Sequence, residues 1–238
     1  TALWVPDLFM ERVEKDESWT LFCPKTINLQ DYHSEEFNTK YIQAEETLTG
    51  RKIRARDLWE KIIRSQIETG TPYVMFKDRV NSCSNQQHLG TIKGSNLCVE
   101  VCEYTSPDEI AVCTLASMAL PAFVQGSFQF DKFGARVEEV VRHLDRVIDQ
   151  TYYPLGEAEN SNMKHRPMGI GVQGLSDVFQ MHDLPYDSQE ALDLDAAIFE
   201  TMYYHALKSS CQLAREKGPH SSFEGSPASK GILQFDFY

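Results

Sequence analysis

Between Ser95 and Pro121 the chain reads SNLCVEVCEYTSPDEIAVCTLASMALP, a stretch that holds three of its six cysteines and in which Asn96, Cys98 and Glu100 alternate. The residue types form a chemical set. An amide can hold a hydroxyl, a thiol can do redox or radical chemistry, and a carboxylate can accept a proton. Alternate residues of an extended backbone leave from one face, whereas a helix would scatter them, so the spacing predicts an extended segment with the three side chains on a common face. The plainer alternative is a buried thiol acting as a small hydrophobe between Leu97 and Val99. Two further polar side chains on the same face weigh against it, because an apolar face rarely takes unpartnered polar groups.

The elements around this stretch are those of a soluble globular chain. At 238 residues and 42% hydrophobic content there is material for one large domain or two small ones. A net charge of -12 argues against nucleic acid and against an anionic membrane face, while a phosphorylated small substrate remains possible at a local site. No apolar run is long enough to span a bilayer, and TALWVPDLF at the N-terminus lacks the features of a signal peptide, so a cytoplasmic location is expected. Six cysteines are too sparse for a disulfide scaffold, and in a reducing compartment any pair that cycles would be catalytic. No C-x-x-C occurs and histidines such as His88 are scattered, so no metal site is expected.

Taken in order, PDLFMERVEKDE reads as a short helix opening at Pro6, SWTLFCP as a strand stopped by Pro24, and residues 31 to 49 as a polar surface helix with scattered aromatics. Leu58, Trp59, Ile62, Ile63 and Ile67 recur at helical spacing up to Gly70. YVMF, residues 73 to 76, follows as a buried strand, and helix, loop and strand in this order point to an α/β layering. Residues 77 to 98 read as a loop. In IAVCTLASMAL, residues 110 to 120, the capping pattern of Ser106, Pro107 and Glu109 favours a helix and the branched apolar content favours a strand, and periodicity does not decide. A helix starts at Asp131 with Val137, Val140, Val141, Leu144, Val147 and Ile148 on one stripe, and ENSNMKHR reads as a polar loop. Gly169, Gly171 and Gly174 have dinucleotide-fingerprint spacing but lie within the strand itself, which favours close backbone packing over nucleotide binding. Asp187 and Glu190 form a capping box for a long helix with Ile198 and Met202 inward, closed by Gly218 and Pro219; GILQFDFY reads as a final strand.

The strings TGTPYVMFKD, SNQQHLGTIKGSNLCVE, EIAVCTLAS, HRPMGIGVQGLSD and EGSPASKGILQFD, in this order along the whole chain, closely resemble the large, catalytic subunit of class I ribonucleoside-diphosphate reductases. The resemblance implies an α/β fold, part of a ten-stranded α/β barrel of two antiparallel five-stranded halves, with a finger loop carrying the radical cysteine. It implies that Cys98 becomes a transient thiyl radical that takes hydrogen from the ribose 3′ carbon, in a site closed to water. Glu100 then resembles the base for the 3′-hydroxyl proton, and Asn96 the residue that holds substrate hydroxyls, with Leu97 beside them in the substrate site. Cys113 resembles the second redox-active cysteine, whose disulfide partner would lie before Thr1, on a barrel strand over 110 to 119. Cys83 and Cys102, and the string residues His165 and Arg166, match no catalytic member of the family.

The implied substrate is a ribonucleoside diphosphate, reduced to supply DNA precursors. The implied partners are a small subunit whose metal centre generates the radical, a second large subunit in a homodimer, and thioredoxin or glutaredoxin as reductant. The segments that would bind ATP and dNTP effectors, the first redox cysteine, the tyrosine pair that receives the radical and the C-terminal shuttle cysteines are not matched. The chain is therefore expected to be a single fragment of the barrel domain, residues 1–238 with no complete second domain, that binds no cofactor itself and has no turnover alone. The alternatives are a cobalamin-dependent reductase, which shares N-x-C-x-E, a non-catalytic assembly segment of a split reductase, and a redox or metal-binding module.

Overall fold

The computed structural model describes residues 1–237, which fall into two compact units: residues 1–106 with 224–237, and residues 107–223.

The first unit alternates strand and helix: β1 (Ala2–Val5), α1 (Asp7–Lys15), β2 (Ser18–Leu21), α2 (Ser34–Thr47), β3 (Arg51–Arg54), α3 (Ala55–Thr69), β4 (Tyr73–Phe76) and α4 (Lys77–Ser82). Its strands form two pairs, β1 with β4 in parallel and β2 with β3 antiparallel. The expected α1 begins after Pro6, whose φ of -77° is preset for a helix start. The expected α3 ends at Gly70, which takes the left-handed conformation (φ 75°) open to glycine and caps the Gln66 carbonyl.

Three expectations change here, the first being that residues 77–98 are not loop throughout, since Lys77–Ser82 form helix α4. Helix α2 is not a surface element: Phe37, Tyr41 and Ala44 recur at i, i+4 and i+7 and are buried. Strand β4 is not buried throughout, because it pairs along one edge only and leaves Tyr73 and Phe76 exposed.

The core of this unit gathers Val5, Leu8, Phe9, Val13, Trp19, Phe37 and Tyr41. Tyr41, 1% exposed, stacks on Trp19 with centroids 4.2 Å apart. Its hydroxyl accepts the Thr20 amide at 2.7 Å and donates to the Thr20 carbonyl at 2.9 Å, standing in for a neighbour that β2 lacks on that side. Burial first, and the nearby Glu45 carboxylate, push the phenol up to about 12.

The second unit contains β5 (Leu115–Ala119), a 3-10 turn (Leu120–Phe123), the short hairpin of β6 (Val124–Gln125) and β7 (Ser127–Phe128), then α5 (Phe130–Gln150), α6 (Gly156–His165), β8 (Gly169–Gln173), α7 (Leu175–Met181) and α8 (Gln189–Lys217). Strands β5 and β8 pair in parallel. Helix α5 buries Phe133, Val137, Val141, Leu144 and Ile148 on one stripe, near to expectation, although Val147 is exposed. Its polar side pairs with α8: Glu138 with His205 and Lys208, Arg142 with Glu216, Asp145 and Asp149 with Lys217. The numbers rise together, so the two helices run in the same direction. Gly134 makes this packing possible, since a Cβ there would lie 2.3 Å from the His205 ring.

Five expectations are corrected in this unit and in the C-terminal segment. Residues 110–114 are irregular and only Leu115–Ala119 is strand, and no helix follows Ser106, because Glu109 is engaged with Lys164 and His165 instead of capping one. ENSNMKHR lies in helix α6, whose buried residues Asn162 and His165 have polar partners that a hydrophobic pattern does not reveal. The cap of α8 is Ser188, whose side chain accepts the Ala191 amide, one residue beyond Asp187. GILQFDFY forms no strand: Asp236 accepts the Leu233 amide and closes a turn, while Tyr238 lies outside the described residues. Among the described residues the strands make four two-stranded pieces in a mixed α/β arrangement, not a closed barrel.

Gly169 sits in β8, where a Cβ would meet the Leu115 side chain at 2.5 Å. Gly174 is left-handed (φ 80°) at the start of α7. Strand packing and a turn thus account for the first and last glycines of the fingerprint spacing.

Replacing Tyr41 by Phe would leave both polar groups of Thr20 without their buried partner. The expected loss is about 1–3 kcal/mol of stability in denaturant unfolding, with a slope like that of the parent protein.

Candidate active site

The segment that carries Asn96, Cys98 and Glu100 is a loop on an anchored stem. Its incoming leg is fixed at Ile92, which is fully buried. Asn81, one turn along α4, donates its side-chain amide to the Ile92 carbonyl at 3.1 Å and accepts the Ile92 N–H at 2.7 Å. Trp4 donates its indole N–H to the same carbonyl at 3.2 Å. Thr91 donates to the Asp31 carbonyl at 2.7 Å, and Lys93 pairs with the Asp31 carboxylate. That turn is held in its own right, since buried Lys77 donates to the carbonyls of Leu29 and Gln30 at 3.1 and 3.3 Å. Burial pulls the Lys77 ammonium down to about 8, against the opposing pull of Asp78 and Asp31.

The outgoing leg is fixed at Tyr104, whose N–H donates to the Gln86 side chain at 2.6 Å. The Tyr104 ring lies over Gly90, where a Cβ would meet it at 2.7 Å. Between the anchors the legs are joined by Ser95, which donates to the Val101 carbonyl at 2.6 Å, and by Asn96, whose Oδ1 accepts the Val101 N–H at 3.2 Å.

At the tip the structure departs from the alternating extended backbone expected from sequence. Leu97 and Cys98 occupy a turn closed by the Val99 N–H donating to the Asn96 carbonyl at 3.3 Å. Val99 has φ 63°, a left-handed conformation rare for a β-branched residue and a form of local strain that surrounding bonds must hold. Asn96, Cys98 and Glu100 therefore lie within a five-residue tip built on a turn, not along a strand. Leu97, Cys98 and Glu100 are exposed, Leu97 at 81%, while Asn96 is half-buried with its side chain engaged in the stem. Cys98 thus does not lie in a closed cavity within this chain.

Glu103 on the outgoing leg is a feature that sequence reasoning passed over. Its Oε2 is buried without a hydrogen-bond partner, and burial pushes the carboxyl up to about 7. The Cys102 thiol beside it is also raised, by burial first and then by the carboxylates of Glu103 and Glu100. Nothing in the sequence marks Glu103, because its burial depends on how the loop folds back. Cys113 belongs to the second unit. It is exposed in the irregular segment before β5, next to Thr114, whose carbonyl accepts the Gly169 N–H at 2.9 Å. No helix among the described residues is long and apolar enough to cross a membrane, and no three His, Cys, Asp or Glu side chains gather there as ion ligands.

Because the folded state raises the Glu103 pKa above the ordinary 4.5, it binds more protons than the unfolded state between about pH 4.5 and 7. Stability of the loop then falls as pH rises through that window, by on the order of 1–3 kcal/mol. Hydrogen exchange of residues 95–105 should quicken from pH 5 to 8 beyond the intrinsic rate, and Glu103→Gln should remove that excess; an unchanged excess in the variant would count against the assignment.

With this geometry in hand, the comparisons with known proteins are specific. A family model described as the barrel domain of ribonucleotide reductase matches residues 1–238. The chain is 52% identical over 245 residues to ribonucleoside-diphosphate reductase large chain 2 of Saccharomyces cerevisiae, covering 100% of this chain and 28% of the relative. It is 54% identical over 241 residues to the large subunit of Caenorhabditis elegans, covering 100% and 31%, and 52% identical over 241 residues to that of Danio rerio, covering 100% and 30%. The chain thus spans about three tenths of the length of these relatives. Identity of this extent along every residue makes the chain a member of the ribonucleotide reductase family, within its barrel domain.

Proposed function

We propose that this chain is the part of a ribonucleoside-diphosphate reductase large subunit that presents the reacting thiol to a ribonucleoside diphosphate and reduces it to the deoxyribonucleotide. The observation that carries the reading is the tip itself. A turn held by Ser95, Asn96 and Val101 sets a thiol and a carboxylate two residues apart, outward from an anchored stem. That arrangement fits a finger loop within a ten-stranded barrel. The parallel pairs β1–β4 and β5–β8 support the barrel too, because small parallel sheets are rarely stable until further strands and helices cover them.

In this reading Cys98 Sγ, as a thiyl, takes the hydrogen from the ribose 3′ carbon. Glu100 accepts the 3′-hydroxyl proton, the 2′-hydroxyl leaves as water, and the hydrogen is then returned to the 3′ carbon. Two further thiols supply the two electrons and become a disulfide, so one ribonucleotide and two thiols give one deoxyribonucleotide, one disulfide and one water. Cys113 is one of those thiols; its partner comes from a part of the large subunit outside this chain. Asn96 is the hydroxyl-holding amide, with Leu97 beside it. Its Oδ1 also accepts the Val101 N–H of the stem.

Water must be kept from a thiyl, and Cys98 is exposed within this chain. The cover is assigned to the remaining parts of the large subunit. The radical originates in a small subunit that carries a metal centre, thioredoxin or glutaredoxin reduces the disulfide back to the two thiols, effector nucleotides act elsewhere, and the protein works in the cytoplasm as a large-subunit homodimer.

The test uses the complete large subunit that contains this segment, with its small subunit. Cys98→Ser should reduce deoxynucleotide formation to background while substrate binding persists, and Glu100→Gln should lower kcat by about 10²–10⁴-fold. Turnover by Cys98→Ser, or a requirement for adenosylcobalamin in place of the small subunit, would overturn the proposal.

A further inference from the structure

We infer that helix α6 is a positioning element for Cys113, acting chiefly through the buried pair of Glu109 and His165. The inference rests on the redox role proposed above for that thiol.

The observation is that several polar groups of α6 are spent on the short segment that carries Cys113. Asn160 donates to the Asp108 carbonyl at 2.9 Å, and the Glu157 carbonyl accepts the Ile110 N–H at 3.1 Å. Asn162 donates to the Thr114 hydroxyl at 3.4 Å. Between these ties Glu109 turns its carboxylate inward, where one oxygen takes the Lys164 ammonium and the other lies 2.6 Å from His165 Nε2. His165 Nδ1 lies 2.8 Å from the Ser222 hydroxyl, which in turn lies 3.1 Å from His220 Nδ1. Glu109, His165 and Ser222 are all buried. Burial alone would lift the Glu109 carboxyl, but its two donors hold it below the usual carboxylate range, so it stays an acceptor for both.

Helix α6 thus holds the segment by its backbone at Ile110 and by a side chain at Thr114, on either side of the exposed thiol of Cys113. A carboxylate, an imidazole, an ammonium and two amides form an expensive way to bury a loop if packing were the only need, because apolar side chains would do it without the desolvation of charge. The chemistry gives the need. A disulfide forms only when the two Cα atoms come within about 4.4–6.8 Å with the Cβ atoms about 3.5–4.5 Å apart, and this pair must open and close at every turnover. A thiol on a loosely held loop would meet that geometry rarely.

The experiment again uses the complete large subunit with its small subunit and a dithiol reductant. Glu109→Ala should lower kcat about tenfold or more with KM within about twofold, and should slow oxidation of Cys113 in a single turnover, read by thiol labelling, in the same proportion. Glu109→Gln, which still accepts hydrogen bonds, should recover much of the loss. Glu157→Ala, whose residue meets the segment only through its backbone, should match the parent. Wild-type oxidation of Cys113 in Glu109→Ala, whatever its melting temperature, would overturn the inference. If that variant does not fold, Asn160→Ala and Asn162→Ala each remove one tie and are read the same way: slower Cys113 oxidation supports the inference, and an unchanged rate overturns it. Cys113→Ser separates this from the underlying reading, since sustained turnover there removes the redox role itself, whereas its loss alongside an unaffected Glu109→Ala removes only the role of α6.

Discussion

A chain that enters a protein interior without regular secondary structure must still find partners for its backbone N–H and C=O groups, and the loop at the candidate site depends on how that is met at Ile92. The solution is the primary amide of Asn81, which has the donor and acceptor of a peptide group and uses both on one residue. Aspartate would supply no donor, and leucine would supply neither. The same six-residue helix does more: Lys77 holds the turn at Leu29 and Gln30, and Asp78 accepts the amides of Asp7 and Ser34 at the starts of α1 and α2. One short helix thus ties two longer helices and the loop stem through side chains of Lys77, Asp78 and Asn81, all of them buried.

The two units are built on different principles in their scaffolds and in their functional segments. Apolar stripes on α1, α2, α5 and α8 make the cores, where hydrophobic burial stabilises without direction. The segments that carry Cys98 and Cys113 are held instead by directional bonds: Ser95, Asn96 and Gln86 in one unit, Glu109, Asn160 and Asn162 in the other. Directional bonds fix an atom's position within the tolerance of a hydrogen bond, which apolar packing of exposed loops cannot do.

That division explains what was legible in the sequence. Helix α3 and the stripe of α5 are written in apolar spacing, and Gly70 marks an end because only a left-handed residue fits there. Helix α6 was invisible because its partners are polar, and the C-terminal strand was misread because alternation alone does not provide an edge to pair with. The residue types of the site were legible at once, and their geometry was not. Alternation of Asn96, Cys98 and Glu100 suggests a strand, but Val99 turns left-handed, a conformation that its own branched side chain argues against and that the bonds from Ser95 and Asn96 to Val101 help to hold. Glu103 and Asn81 carried no signal, since each matters through residues it meets only after folding.

The strained tip has a consequence for the proposed chemistry. Bonds within its own stem, from Ser95 and Asn96 to Val101, hold the turn, so the backbone that carries thiol and carboxylate is shaped before anything covers them. A catalytic pair shaped by its cover would have to be rebuilt each time a substrate entered and a product left, and part of the binding energy would go into ordering it. A pair that is ordered beforehand leaves the cover a single task, the exclusion of water around a radical, and lets it open and close without disturbing the reacting groups. In that view the exposure of Cys98 within this chain is the expected state of a preorganised loop, and the left-handed Val99 is the local strain by which its position is held.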